Sequence, residues 1–244
     1  PQQYPEFLEI FAKEDGKIPR AFREKCRLAA YRRTAEYDAA ITQYLQKLSV
    51  KNGASGKTVS LQLYEAQPLR YGENPHQSAS YLLEKESDKT WKQLAGKELS
   101  FNNILDLGIA IRLASDFVSP VCAIFKHTNP CGVAMGENQA QILQYAMDTD
   151  PVSFFGGIVV FNRRLTLEAA QKLSPHFFEL IIAPEFESDT LHLLQAKKNL
   201  RLIQVDFGRA NNQNIHDLRS VPGAGGYLLQ SQDFPLWDKS VLKT

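Results

Sequence analysis

A chain of 244 residues with 43% hydrophobic side chains is long enough to bury a sizeable core in one large or two modest domains. Its 28 basic and 27 acidic residues leave a net charge of +1, which gives no argument for nucleic acid or a membrane surface, so any anion site must be local. No apolar run approaches a membrane span and no charged-then-apolar signal opens the chain, while Cys26, Cys122 and Cys131, none in a Cys-x-x-Cys pair, fit reduced thiols in a cytoplasmic protein.

Residues 19–48 predict an amphipathic packing helix. Pro19 suits its first turn, Phe22, Cys26, Ala29, Tyr37, Ile41, Tyr44 and Leu48 recur at roughly helical spacing, and Arg23–Lys25 and Arg32–Arg33 fill the other face. Residues 51–57, with Gly53, Ser55 and Gly56, have linker composition and set the expected domain boundary. The run Gly53-Ala54-Ser55-Gly56-Lys57-Thr58 ends like a phosphate-binding loop, but Lys51 occupies the place of the required first glycine.

Alternating Val59, Leu61 and Leu63 predict a strand at 58–64, followed by a loop, Leu69 to Gln77, dense in hydrogen-bonding groups. Helices are then predicted at 102–117, 138–148, 166–173 and 188–197, with strands at 121–125, 157–161, 179–183 and 200–205 between and after them. Strand and helix in turn mean an α/β fold with substantial parallel pairing. Asp206 to Gly225 is polar and turn-rich and reads as an excursion. Gly223-x-Gly225 does not make a dinucleotide fingerprint, because Leu228 stands where the third glycine belongs.

The apolar run Val121–Phe125 stops abruptly at Lys126-His127, and Asn129-Pro130 and Cys131-Gly132 are expected to turn the chain. Two ionisable groups thus sit at a strand end, where open α/β sheets form ligand crevices. Taken alone, these residues leave open a surface lysine beside an ordinary histidine. His127 and Cys131 supply too few ligands for a metal, and Pro130-Cys131 lacks the second cysteine of a zinc deaminase, so no metal is assigned. Cys131 has no base pattern beyond His127 to make it a nucleophile. His176, His192 and His216 read as surface or structural residues, and His76 as a residue that either touches ligand or orients its loop.

Arg70-Tyr71-Gly72-Glu73-Asn74-Pro75-His76-Gln77 followed by Lys126-His127-Thr128-Asn129-Pro130-Cys131-Gly132 resembles the bifunctional purine biosynthesis enzymes that combine phosphoribosylaminoimidazolecarboxamide (AICAR) formyltransferase with inosine monophosphate (IMP) cyclohydrolase. Further matches, in the family's order, are Leu99-Ser100-Phe101-Asn102-Asn103, Ser153-Phe154-Phe155-Gly156-Gly157, Ile181-Ile182-Ala183-Pro184 and Gly225 to Gln230. The resemblance covers essentially the whole chain. It implies an internal piece of a longer polypeptide: residues 1–50 as the helical tail of the cyclohydrolase domain and connector, 51–57 as linker, and 58–244 as the first half of the transformylase domain, a cytidine-deaminase-like three-layer α/β/α unit.

The resemblance also implies the chemistry, which is formyl transfer from 10-formyltetrahydrofolate, a cosubstrate, to the 5-amino group of AICAR. That amine is a poor nucleophile. A histidine, whose ordinary titration lies near neutrality, suits the general base, and a lysine suits the developing oxyanion. By match to the motif these are His127 and Lys126. Arg70, able to hold phosphate bidentately, and Tyr71 are expected to contact AICAR, with Gly156 bringing backbone close to the base and Glu179 as an acidic contact. The family's site forms at a homodimer interface, with much of the folate pocket in the later half of the domain. The alternative is a truncated, non-catalytic α/β module that retains nucleotide-binding or dimerisation surface only.

Overall fold

The computed structural model describes residues 3–51, 58–84, 89–210 and 216–231. It divides into two compact units, Pro1–Leu63 and Tyr64–Thr244.

The first unit is helical. Helices α1 (Tyr4–Lys13) and α2 (Arg20–Lys51) are tied by the Glu6–Lys25 ion pair at 2.6 Å and by Phe7, whose ring lies 6.3 Å from that of buried Phe22. The Pro19 carbonyl accepts from Arg23 N, so this proline stands just ahead of the helix. The expected apolar face holds only at its start: Phe22 is buried and Cys26 half-buried, whereas Tyr37, Ile41, Tyr44 and Leu48 are exposed. These four share one side of α2 at helical spacing, but among the described residues they stay exposed. Residues 52–57 of the expected linker lie outside the described residues.

The second unit is built on a six-stranded mixed sheet in the order β3-β8-β7-β6-β4-β5. Its strands are β3 (Trp91–Ala95), β4 (Val121–Lys126), β5 (Asn129–Met135), β6 (Ile158–Phe161), β7 (Leu180–Ala183) and β8 (Arg201–Val205). β6, β7 and β8 run parallel, with Ile158 beside Leu180 and Leu180 beside Arg201; β4 runs antiparallel to both β5 and β6. β4, β6 and β7 are buried on both faces, which is why they read as unbroken apolar runs.

Helix α3 (Phe101–Ser115) covers one face, packing Leu107, Ala110 and Ala114 at helical spacing against Val121, Ala123, Phe125, Val160 and Ile182. Helices α4 (Gln139–Thr149), α5 (Leu167–Leu173) and α6 (Ser188–Gln195) cover the other through Leu143, Ala170 and Leu194 against Ile124, Val159 and Ile181. Sheet faces that are apolar on both sides need helices on both sides, so the unit is an α/β/α sandwich. Side-chain caps start three of these helices: Ser100 in a reciprocal box with Asn103, Asn138 onto Gln141 N, and Thr166 onto Ala169 N.

Four differences from the sequence reading have physical causes. Residues 58–63 alternate as a strand would but have no ladder partner among the described residues; pairing starts at Tyr64, where β1 (Tyr64–Leu69) meets β2 (Ala79–Leu83) in a hairpin. Asn129 to Gly132, expected to turn, belong to β5, an edge strand where Pro130 is tolerated beside a register shift. The excursion after Asp206 contains the short α7 (Phe207–Ala210) and β9 (His216–Ser220), and β9 pairs with β10 (Tyr227–Ser231); residues 211–215 lie outside the described residues. β3, also unexpected, pairs antiparallel with β8 and closes the far edge of the sheet.

Candidate active site

The turn between β4 and β5 is made by His127 and Thr128 themselves, both left-handed at φ 52° and 64°. Two consecutive positive φ values let a two-residue hairpin match strand twist, but side chains other than glycine cost about 1–2 kcal/mol each there, and a β-branched threonine is the more unusual. Three hydrogen bonds offset that strain. Thr128 Oγ1 donates to the His127 carbonyl at 2.6 Å, Asn129 Nδ2 donates to the same carbonyl at 2.9 Å, and Thr128 N donates to Asp106 Oδ1 on α3 at 2.7 Å. The exposed His127 side chain is thereby presented at the tip of a fixed turn.

Lys126 ends β4 and donates from Nζ to the Phe155 carbonyl at 3.0 Å, joining the β4–β5 turn to the loop that enters β6. Gly156 follows at φ 72°, its amide donating to the Phe177 carbonyl at 2.8 Å, and a Cβ there would press on the Phe177 ring at 3.4 Å. At Gly157 a Cβ would stand 2.8 Å from the Phe125 carbonyl. Gly157 thus lets this loop lie against the end of β4, while Gly156 supplies the left-handed turn beside Phe177. Asp150 accepts from the amides of Val152 and Ser153 at the loop's start, and its bonds with Ser153, more than the nearby Lys126 charge, hold its carboxyl below the usual range.

Arg70 and Tyr71 open the β1–β2 loop. The Arg70 guanidinium lies 4.7 Å from the centre of the Tyr71 ring and donates to its hydroxyl at 2.9 Å. The loop is closed by its own backbone, Gly72 N to the Gln77 carbonyl at 2.8 Å, and by Asn74 N donating to Gln77 Oε1. Exposed His76 makes no hydrogen bond among the described residues, so Asn74 and Gln77 do the shaping. Phe101 N donates to the Tyr71 carbonyl at 3.4 Å, docking the loop on the start of α3.

Glu179, just before β7, joins these pieces. Its Oε2 accepts from Asn103 Nδ2 at 3.0 Å and lies 3.7 Å from Arg201 Nη1. Buried Arg201, the first residue of β8, also donates from Nε to the Glu98 carbonyl at 3.1 Å. Burial lowers the Arg201 pKa, opposed by the Glu179 charge and reinforced by Arg70 close by. Asp106 is half-buried; burial raises its carboxyl pKa, against the Thr128 amide bond and the His127 charge, which lower it. The six residues expected from sequence therefore converge: Arg70, Tyr71 and Glu179 around Arg201, and Lys126, His127 and Gly156 around the β4 turn, with Asp106 between the two groups.

Asn103 stands in a matched motif without an expected role, and the sequence does not single out Asp106 or Arg201. The spacing of three between Asn103 and Asp106 puts both on one side of a predicted helix, and Arg201 opens an apolar run as Glu179 does. The convergence lies at the amino ends of β6, β7 and β8, which antiparallel β4 reaches with its carboxyl end. At the opposite ends of those strands a cleft of about 590 Å³ is lined by Trp91, Asn162, Gln204 and Asp206, and none of the six lines it.

Other groups have structural occupations. Cys131 Sγ lies 3.4 Å from the Ile124 carbonyl, and burial raises its thiol pKa. The His176 ring meets Phe154 edge-on at 5.3 Å. Among the described residues no three His, Cys, Asp or Glu side chains converge as a metal ion would need, and no helix is long and apolar enough to cross a membrane.

The AICARFT/IMPCHase bienzyme family profile matches residues 1–244. The chain is 40% identical over 242 residues to the bifunctional purine biosynthesis protein PurH of Desulfitobacterium hafniense (strain DSM 10664 / DCB-2), covering 96% of this chain and 46% of that protein. It is 42% identical over 240 residues to PurH of Synechococcus elongatus, covering 96% and 45%, and 40% identical over 252 residues to PurH of Magnetococcus marinus, covering 100% and 47%. Among solved structures, Acinetobacter baumannii RibD, form 2, aligns at a TM-score of 0.32 and 11% identity over 45% of this chain and 36% of that one, too loose a likeness to bear on the fold. The chain spans about half the length of the curated relatives it matches. A profile match along its whole length, over an α/β/α unit that gathers the two motif loops at one end of the sheet, makes this chain a member of the AICARFT/IMPCHase bienzyme family.

Proposed function

We propose that this chain supplies the catalytic turn and part of the nucleotide site of an AICAR formyltransferase, within a purine biosynthesis enzyme that also cyclises the product to IMP. The observation that carries this reading is the fixed Lys126-His127 turn facing the Arg70, Tyr71 and Glu179 group across Asp106. Arg70 and Tyr71 hold the AICAR phosphate, Glu179 accepts from nucleotide hydroxyls, and the Gly156 backbone lies along the base.

The 5-amino nitrogen attacks the formyl carbon of 10-formyltetrahydrofolate, forming the new C–N bond. His127 takes the proton that the nitrogen sheds, Lys126 stabilises the tetrahedral oxyanion, and collapse breaks the bond to N10, which is protonated as tetrahydrofolate leaves. Lys126 retains donors for this because, among the described residues, one of its three N–H bonds is engaged, by Phe155. The same reading makes the sandwich a cytidine-deaminase-like unit, draws further folate contacts from the rest of a homodimeric cytoplasmic enzyme, and requires no metal.

His127→Ala in the full-length enzyme is expected to lower kcat by about 10²- to 10⁴-fold with a much smaller change in AICAR affinity, and Lys126→Met to behave similarly. Single-turnover kinetics with saturating folate and AICAR measure it. Near-normal turnover in the His127 variant would reduce the residue to a turn former.

A further inference from the structure

We infer that Asp106 is a positioning residue for His127: by accepting from the Thr128 amide it holds the left-handed turn in the form that presents the imidazole to the substrate. The inference rests on the reading of His127 as the proton acceptor.

Of the three hydrogen bonds at the turn, two are local, made by Thr128 and Asn129 with their own neighbour's carbonyl, and they travel with the turn wherever it goes. The Asp106 bond alone reaches from another element, 22 residues earlier in the chain, and at 2.7 Å it is also charge-assisted. It therefore fixes the turn relative to the rest of the site as well as its internal shape.

The anchor itself cannot move far. Asp106 adjoins Leu107, which is buried against the sheet, and stands one turn beyond Asn103, whose backbone is capped by Ser100 and whose amide holds Glu179. One stretch of α3 thus sets the distance between the group expected to bind nucleotide and the group expected to move the proton. A misplacement of about 1 Å is enough to cost a positioned base on the order of 100-fold in rate.

The bond needs an acceptor at this place, which asparagine supplies and alanine does not. In full-length enzyme, Asp106→Ala is expected to lower kcat by about 10- to 100-fold while AICAR affinity, read by titration calorimetry, changes less than about threefold. Hydrogen exchange at the Thr128 amide should accelerate at least about tenfold. Asp106→Asn should stay within about threefold of the parent in all three measurements. Asp106→Glu, which keeps a carboxylate but moves the acceptor by one methylene, covers the case in which the alanine variant does not fold, and is expected to lose kcat without losing AICAR binding.

A double variant with His127→Ala should turn over no more slowly than His127→Ala alone, because Asp106 acts through that side chain. An additive further loss would overturn the inference, as would full kcat in the Ala or Glu variant, or an asparagine variant as impaired as the alanine one. Normal turnover in Asp106→Ala beside a crippled His127→Ala overturns this inference alone. Normal turnover in His127→Ala removes the base assignment and the inference together.

Discussion

The Arg201 guanidinium stands 3.7 Å from the Glu179 carboxylate, yet only 7% of the arginine side chain is exposed against 44% of the glutamate's. Removing one partner therefore leaves very different remainders. Glu179→Ala leaves a buried cation held by backbone carbonyls and no carboxylate, with Arg70 nearby, whereas Arg201→Met leaves a carboxylate that water can reach and that Asn103 still holds. Urea unfolding is expected to show a loss of about 2 kcal/mol for Glu179→Ala and under about 1 kcal/mol for Arg201→Met. The reverse order would mean that the pair is not organised around the arginine.

Arg70 is preorganised on Tyr71 by a stacked guanidinium and a 2.9 Å hydrogen bond, so little side-chain freedom remains to be lost when an anion arrives. Arg70→Ala in the full-length protein should weaken AICAR binding by roughly 2 kcal/mol, about 30-fold, the scale of a charge-assisted bond with its partner left unpaired. Arg70→Lys should recover little of it, because a point charge neither forks nor stacks as a guanidinium does. Titration calorimetry decides it, and unchanged affinity would take Arg70 out of the site.

Burial raises the Asp106 carboxyl pKa above the ordinary value of 3.8, so folding favours its protonated form more than the unfolded chain does. A raised carboxyl contributes stability that is fully present below the unfolded pKa and is lost as pH climbs through the folded one. At neutral pH the ionised group is therefore a burden on the fold. Asp106→Asn should be more stable than the parent at pH 7, with the difference shrinking as pH falls toward 3.8. Thermal midpoints taken across that range test the sign; a variant that is less stable at pH 7 and converges only at high pH would contradict it.

Much of the second unit could be read from residues alone, because β4, β6 and β7 are buried on both faces and leave uninterrupted apolar runs. β5 was hidden by Asn129-Pro130 and Cys131-Gly132, pairs that favour turns; the chain turns instead at His127-Thr128, where residue type argues against it. The motif loops pointed to Lys126, His127, Arg70 and Tyr71, but the groups that join them were beyond local patterns. Asn103 meets Glu179 across 76 positions of sequence and Asp106 meets Thr128 across 22. Such partners are set by which strand lies beside which, and a period of 2 or 3.6 carries no information about that.

The placement of the cluster where the chain enters β6, β7 and β8 divides the labour between the two rims of the sheet. Each of those strands is only four or five residues long, roughly 13–17 Å, so the rims are close in space but independent in sequence. On the proposed reading, loops arriving at Gly157, Glu179 and Arg201 carry constraints of chemistry, and a changed length there shifts a proposed site residue directly. None of the six residues proposed for the site lies on the loops departing after Phe161, Ala183 and Val205, so on the same reading that rim is the natural place for insertions, tags or new attachments to accumulate without the opposite rim registering them.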